Sequence, residues 1–95
     1  MTDLCKEINS FGKGIGNEAR YRIIQSLSKG AKTVNELVKG GKMSQPAVSQ
    51  HLKTLKSYKL VDSKRQGKEI YYHINSEYTL KLLASLVTDI QKTKK

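Results

Sequence analysis

Polar and basic side chains occur at helical spacing in the segment Ser44 to Leu60, SQPAVSQHLKTLKSYKL. Ser44 is a good N-cap, because its hydroxyl can accept a hydrogen bond from a free N–H of the first helical turn, and Pro46 is tolerated in that turn. The outer face of the predicted helix carries Gln45, Pro46, Ser49, Gln50, Lys53 and Ser57. Amides and hydroxyls near a helix N-terminus can contact base edges in a major groove, while later lysines meet phosphates. An ordinary amphipathic surface helix shows the same pattern, so the segment alone leaves both interpretations open.

Basic residues are concentrated around that segment. The 95 residues carry a formal net charge of +10, and from Lys39 to Lys68 there are eight basic residues and one acid, Asp62. The eight are Lys39, Lys42, Lys53, Lys56, Lys59, Lys64, Arg65 and Lys68. Such a patch attracts polyanions, and we expect nucleic acid rather than a membrane because no apolar run is long enough to span a bilayer. Nothing at the N-terminus resembles a signal peptide, which favours a cytoplasmic protein.

No combination of residues indicates catalysis or a cofactor. The chain shows no pairing of a nucleophile with a base, no glycine-rich phosphate loop before a helix, and only eight scattered acids. We therefore predict neither catalytic residues nor a bound cofactor. The single cysteine, Cys5, excludes an internal disulfide and suits a reducing compartment. A partly buried apolar cysteine is the simplest expectation, but Lys6 beside it would favour the thiolate, so a redox role stays open.

Apolar residues recur at spacings of four, three and four in the first stretch, Thr2 to Ile15, and predict a helix. They are Leu4, Ile8, Phe11 and Ile15. Because glycines at positions 12, 14 and 16 weaken a helix, we expect this one to end near Lys13.

Two shorter helices are predicted next. Asn17 can cap a helix from Glu18 to about Ser28, which Gly30 would close. Thr33 and Glu36 fit a capping box, in which the threonine hydroxyl and the glutamate carboxylate each accept a backbone N–H. The apolar face of this third helix would be Val34, Leu37 and Val38.

The helix that begins after Ser44 has an apolar stripe as well as its polar outer face. Val48, Leu52 and Leu55 recur at spacings of four and three, so they must be buried. A short helix, a tight turn containing Gly40 and Gly41, and a second helix with a polar face have the outline of a helix-turn-helix.

After Leu60 the apolar period changes from about 3.6 to 2, which predicts a β-hairpin. One side would carry Val61, Ser63, Arg65, Ile70, Tyr72 and Ile74. The tip, from Lys64 to Lys68, holds three cations around Gly67 and could lie on a phosphate backbone or insert an arginine into a minor groove. A solvated hairpin turn is the alternative, but the cations beside an already basic helix favour contact with nucleic acid.

A last helix is predicted from Ser76, which we expect to be its N-cap. Its main stripe would be Leu80, Leu83, Val87 and Ile90, widened by Leu82 and Leu86. The final four residues, 92–95, are expected to form a loose tail.

These residues together resemble the ArsR/SmtB family of bacterial winged-helix repressors. SQPAVSQHLKTLKSYKLV followed by KRQGKEIYYHI carries the resemblance, and NEARYRIIQSL and TVNELV match the family's earlier helices. The resemblance implies one domain over residues 1–95, mostly α with a small β-hairpin, in the order ααααββα. The helix-turn-helix would span 33–58 and the wing 60–74. It also implies a homodimer through the first and last helices, 1–15 and 76–91, that binds a two-fold symmetric DNA operator and represses transcription.

Two sets of residues are predicted on this basis. The DNA-binding residues are Ser44, Gln45, Ser49, Gln50, Lys53, Lys56, Lys64, Arg65 and Lys68. The dimer interface is Leu4, Ile8, Phe11, Leu80, Leu83, Val87 and Ile90.

The metal-sensing motifs of the family are missing from this sequence. The segment that aligns with the thiolate site in the third helix, Asn35 to Lys39, contains no cysteine. Positions matching the zinc site of the last helix are Ser76, Tyr78, Asp89 and Lys92, and one carboxylate does not hold zinc. His51 is most simply a half-buried packing or backbone-bonding residue, and His73 lies on a wing strand. No metal site is therefore predicted, and no inducer is identified.

Two alternatives to a simple operator-binding repressor remain. The first is a redox-responsive repressor that senses through Cys5, although the family's persulfide sensors use two cysteines in one chain. The second is a winged-helix module that binds nucleic acid nonspecifically or an acidic protein partner. Such an interaction module tends to place aromatic or aliphatic anchors where this chain has Ser49, Gln50 and Lys53.

Overall fold

The computed structural model describes residues 4–93, which form five helices and one antiparallel hairpin. The elements are α1 (Leu4–Ile15), α2 (Glu18–Leu27), α3 (Val34–Gly40), α4 (Gln45–Ser57), β1 (Val61–Gln66), β2 (Glu69–Ile74) and α5 (Ser76–Thr93). The predicted order ααααββα and the winged helix are confirmed. The predicted start of α1 at Thr2 lies outside the described residues.

The core forms where α4 packs between the other elements. Its predicted stripe of Val48, Leu52 and Leu55 is fully buried. The rest of the buried cluster comes from α2, α3 and the start of the wing: Ile23, Leu27, Leu37, Leu60 and Val61. Each such side chain stabilises the fold by about 1.5–3 kcal/mol relative to leaving it in water. Packing therefore fixes α4 with its polar face outward.

Helix α1 continues two residues beyond the predicted end at Lys13. The guanidinium of Arg20 explains the difference, because Nε donates to the carbonyl of Gly14 at 2.6 Å and Nη2 donates to that of Lys13 at 3.0 Å. The last carbonyls of a helix have no partner within the helix. Here two of them accept hydrogen bonds from a side chain of α2. Gly14 is also buried, and a Cβ there would lie 2.7 Å from Cδ1 of Leu60. Glycine permits the close approach of α1 to the chain entering the wing.

The predicted caps of α2 and α3 are confirmed. The side chain of Asn17 accepts the N–H of Arg20, and α2 ends at Leu27, one residue before the predicted end. Thr33 Oγ1 accepts the N–H of Glu36 at 3.1 Å, while Glu36 Oε1 accepts that of Thr33 at 2.9 Å, which completes the capping box.

Helix α4 begins at its predicted cap and ends in a Schellman motif. Ser44 Oγ accepts the N–H of Ala47 at 3.3 Å. At the other end, the N–H of Leu60 donates to the carbonyl of Leu55 and that of Lys59 to the carbonyl of Lys56, both at 3.0 Å. Lys59 adopts φ +65°, where glycine is usual. This turn leads directly from α4 into β1.

The wing has the predicted face and one pairing that the sequence does not reveal. Val61 pairs with Ile74, and the rest of the predicted face follows in the pairs Ser63 with Tyr72 and Arg65 with Ile70. On its other edge β2 pairs with the segment before α3. Lys32 and Tyr72 exchange two backbone hydrogen bonds, of 2.9 and 2.8 Å. The wing is thereby attached to the helix-turn-helix.

Two predictions about the last helix are wrong in detail. Asn75, not Ser76, is the cap, because its amide oxygen accepts the N–H of Tyr78 and its own N–H is held by the carbonyl of Leu60. The helix continues to Thr93, since no helix-breaking residue precedes it, so residues 92 and 93 are not a loose tail. Residues 94 and 95 lie outside the described part.

A half-buried polar contact joins helices α1 and α5. The hydroxyl of Tyr78 donates to Oε1 of Glu7 at 3.0 Å. Burial raises the pKa of Tyr78, and the hydrogen bond and negative charge of Glu7 raise the pKa further. The hydroxyl therefore keeps its proton, and remains the donor to Glu7, up to a higher pH than an ordinary tyrosine would.

Candidate nucleic-acid interface

The outer face of α4 presents polar groups that are not used within the protein. Gln45, Ser49, Gln50 and Lys53 are all exposed, together with Pro46 and Ser57. Within the part of the chain that the structure describes, the side chains of Gln45, Ser49, Gln50 and Lys53 have no hydrogen-bond or ion-pair partner. Ser44 differs, because its hydroxyl oxygen serves as the N-cap. The helix therefore offers amide, hydroxyl and ammonium groups to an external ligand.

The second group of predicted contacts lies at the tip of the wing. Residues 64–70 are all exposed, and the turn between the strands consists of Gly67 and Lys68. Gly67 has φ +63°, the conformation that favours glycine at the first position of a two-residue hairpin turn. Arg65 Nε donates to the carbonyl of Gly67 at 3.2 Å, so the guanidinium is held close to the tip. Lys64 and Lys68 extend cations from the same turn.

Lys56 is the one predicted contact whose charged group is bound to other side chains. Its Nζ donates to Ser63 Oγ at 2.8 Å and lies 3.9 Å from Oδ1 of Asp62. This contact joins the last turn of α4 to β1. Sequence reasoning missed it, because seven residues and a change from helix to strand separate the lysine from the serine.

The predicted dimer residues divide into two groups in the single chain. Leu80, Val87 and Ile90 on α5 are 65%, 52% and 59% exposed. The others, Leu4, Ile8, Phe11 and Leu83, are half-buried. Among them Phe11 packs against the core cluster, so it also supports the fold of one chain. Three exposed large apolar side chains on one helix are typical of an interaction site.

Cys5 is exposed on α1, and the expectation of a partly buried cysteine is wrong. The reason is its position one residue past Leu4, which turns its side chain about 100° away from the α1 stripe. His51 is half-buried, as predicted, and His73 on β2 is half-buried as well.

Potential metal ligands do not cluster among residues 4–93. The structure brings together no group of three or more His, Cys, Asp or Glu side chains within that range. Tyr78, Asp89 and Lys92, which the resemblance aligns with a zinc site, do line one groove between α1 and α5. That groove contains no imidazole and no thiolate. No helix in the described range has the length and apolar character needed to cross a membrane.

Comparison with known proteins identifies relatives of the same architecture. The family model described as "Bacterial regulatory protein, arsR family" matches residues 17–63, which run from the cap of α2 into β1. The nodulation protein NolR of Rhizobium meliloti is 37% identical over 76 residues, which make up 80% of this chain and 62% of NolR. The transcriptional repressor SdpR of Bacillus subtilis is 30% identical over 69 residues, which make up 73% of this chain and 77% of SdpR.

A solved structure extends the similarity to nearly the whole fold. The homodimeric winged helix-turn-helix DNA-binding domain of a possible ArsR-family regulator from Mycobacterium bovis superimposes with a TM-score of 0.76. It is 29% identical and covers 94% of this chain and 88% of that one. The proteins that resemble this chain are transcriptional regulators and not enzymes. The helix-turn-helix, the basic wing and these relatives together show that the chain belongs to the ArsR family of bacterial DNA-binding transcriptional regulators.

Proposed function

We propose that this protein is a transcriptional repressor that binds a two-fold symmetric operator sequence-specifically as a homodimer. The observation that carries the proposal is α4, whose inner stripe is fully buried while its outer face presents Gln45, Ser49, Gln50 and Lys53 without internal partners. A helix anchored in this way is rigid enough to present side chains to a groove. Because its ligand is chromosomal DNA, we expect it to act in the cytoplasm.

The proposed interface has three parts with different tasks. Gln45, Ser49 and Gln50 contact base edges in the major groove, because amides and hydroxyls can donate and accept there. Ser44 lies at the entry of the same helix. Arg65 at the wing tip enters the flanking minor groove, where narrow A·T-rich segments attract guanidinium groups.

Phosphate contacts form the third part of the proposed interface and provide most of the affinity. Lys53 on α4 and Lys64 and Lys68 on the wing are exposed ammonium groups without carboxylates bound to them in the described structure. Each phosphate that is neutralised releases condensed counterions, which makes binding fall steeply with salt. The net charge of +10 supports rapid association with DNA of any sequence.

Dimerisation is proposed through α1 and α5. The exposed Leu80, Val87 and Ile90 would be removed from water in a symmetric pair, and the M. bovis relative is described as homodimeric. A two-fold axis would place two α4 helices in successive major grooves, as helix-turn-helix dimers do. Repression as the direction of regulation is supported by the name of SdpR, a transcriptional repressor.

The proposal is tested by comparing DNA from the gene's own upstream region with random DNA of equal length. Binding is measured by fluorescence anisotropy from about 50 to 200 mM salt, where six to ten phosphate contacts would lower the affinity by roughly 10³–10⁵. We expect the upstream fragment to bind at least about a hundredfold more tightly, since specific binding usually exceeds nonspecific binding by 10³ or more. Equal affinity for both fragments would contradict a sequence-specific regulator.

A further inference from the structure

Lys56 is held differently from the other lysines of the interface. Its Nζ donates to Ser63 Oγ at 2.8 Å and lies 3.9 Å from Asp62 Oδ1. The same carboxylate oxygen accepts the backbone N–H of Ser63 at 2.8 Å. The cation at the end of α4 is therefore bound to the first strand of the wing.

The surroundings of Lys56 are unfavourable for a phosphate. A phosphate that reached its ammonium would approach the carboxylate of Asp62, and the two negative charges would repel each other. Lys53, one helical turn earlier, is also exposed and has no carboxylate bound to it in the described structure. The two lysines have the same charge and lie on the same helix, but of the two only Lys56 has an ion-pair partner in the described structure, Asp62.

Ser63 is a firm attachment point for the wing. It pairs with Tyr72, which in turn exchanges two hydrogen bonds with Lys32 before α3. Beyond Ser63, residues 64–70 are all exposed. Among the described residues, no side-chain hydrogen bond between α4 and the wing lies nearer to the wing tip than the Lys56–Ser63 bond.

The position of this bond matters because the wing tip is distant from it. Gly67 lies four residues beyond Ser63, or about 13 Å at the rise of a strand. A rotation of the wing by about 10° would move the tip by about 2 Å, whereas hydrogen-bond lengths vary by only about 0.5 Å. A small error in wing angle is enough to separate Arg65 from its groove while α4 stays bound.

We propose that Lys56 is a positioning residue that sets the angle of the wing against α4, so that helix and wing engage adjacent grooves together. It acts through Ser63 and contributes no phosphate contact of its own. This inference rests on the proposed DNA-binding function and assigns the two lysines of α4 to separate tasks.

The test uses Lys56→Met, Ser63→Ala and their double variant, with Lys53→Met as the control that loses the same charge. We expect Lys56→Met and Ser63→Ala each to weaken binding to the upstream DNA about tenfold. The double variant should show no further loss, because both substitutions remove the same hydrogen bond. The salt slope of Lys56→Met should equal that of Ser63→Ala, which breaks the same bond but keeps the charge of Lys56. Lys53→Met should lower the slope by about one, as loss of a phosphate contact does.

Three outcomes of the binding experiment would overturn the inference. They are a slope in Lys56→Met that is lower by about one than the slope in Ser63→Ala, additive losses in the double variant, and unchanged affinity in Lys56→Met. A wild type that binds upstream and random DNA equally would overturn the proposed function instead.

A measurement without DNA tests separately whether Lys56 holds the wing against α4. NMR order parameters of the amides of residues 64–68 report fast motion of the wing. We expect them to fall in Lys56→Met and Ser63→Ala but not in Lys53→Met. Order parameters that are the same in Lys56→Met and in the wild type would overturn the inference whatever the DNA result.

Discussion

We propose separate tasks for neighbouring side chains on α4 although they share one exposed face. Gln50 carries hydrogen-bonding groups without charge, whereas Lys53 carries charge that does not discriminate between bases. Both side chains are exposed and are not hydrogen-bonded within residues 4–93. Because neither supports the fold, substitutions at these two positions can separate recognition of sequence from attraction to phosphate.

Gln50→Ala is expected to weaken binding to the upstream DNA by about 1–3 kcal/mol and to leave binding to random DNA unchanged. The physical reason is that a glutamine amide contributes only where a base edge offers the complementary donor and acceptor. Binding curves on both DNA fragments at one salt concentration measure the difference. An equal loss on random DNA would contradict direct contact between Gln50 and a base.

Lys53→Ala is expected to weaken binding to both fragments and to lower the salt slope by about 0.9. A lysine that neutralises one phosphate releases counterions regardless of sequence. Titrations at several salt concentrations measure the slope, with Gln50→Ala as the control that leaves it unchanged. A slope equal to that of the wild type would show that Lys53 does not contact the backbone.

The orientation of residues was more predictable than their partners. The period of 3.6 in residues 44–57 predicted correctly that Val48, Leu52 and Leu55 are buried and that Gln50 and Lys53 are exposed. Periodicity is a local property of the backbone, so a sequence reveals it. The partner of an exposed side chain depends on which distant segment folds next to it, as the predicted phosphate ligand Lys56 and its bond to Ser63 illustrate.

At the level of elements, the glycines of α1 have unequal surroundings. Gly14 is buried, and an added Cβ would meet Leu60 Cδ1 at 2.7 Å and Tyr58 Cδ2 at 3.1 Å. Gly12 lies on the same helix, and an added Cβ there would have nothing within 4 Å. Both glycines lower helix propensity equally. A difference in stability between alanine variants at the two positions therefore reports the packing around each glycine.

Gly14→Ala is expected to lower the free energy of unfolding by about 1–2 kcal/mol, while Gly12→Ala should raise it by up to about 1 kcal/mol. The first must displace Leu60, which is fully buried at the entrance to the wing. Urea denaturation of both variants measures the two changes. Stabilisation by both substitutions would contradict the close packing of α1 against residues 58–60.

The ends of elements were predicted well where local chemistry decides them. The caps at Asn17, Thr33 and Ser44 are confirmed, because a side chain that bonds to a backbone group three residues away is visible in the sequence. Contacts across the fold decided the other ends. Arg20 from α2 prolongs α1, and the carbonyl of Leu60 holds Asn75 so that it caps α5 instead of Ser76.

The whole molecule is elongated, with principal dimensions of 51 × 26 × 21 Å. Its longest helix is α5, of 18 residues, and the side chains of Leu80, Val87 and Ile90 on it are each more than half exposed. A chain of 95 residues buries a limited core, so stabilisation by a second copy is physically reasonable. Association through this face would also place two basic wings and two α4 helices on one DNA duplex.

The double variant Leu80→Glu/Val87→Glu is expected to convert the protein to a monomer of 10.7 kDa, detected by sedimentation equilibrium. In a symmetric pair the two substitutions would bury four carboxylates, and each unpaired buried charge costs several kcal/mol. Both positions are exposed in the single chain, so its own fold should persist, as circular dichroism can verify. Tyr21→Glu is the control, because Tyr21 is another exposed large hydrophobic residue, at 48%, but lies on α2. A double variant that still sediments as a dimer, or a control that dissociates, would move the interface away from α5.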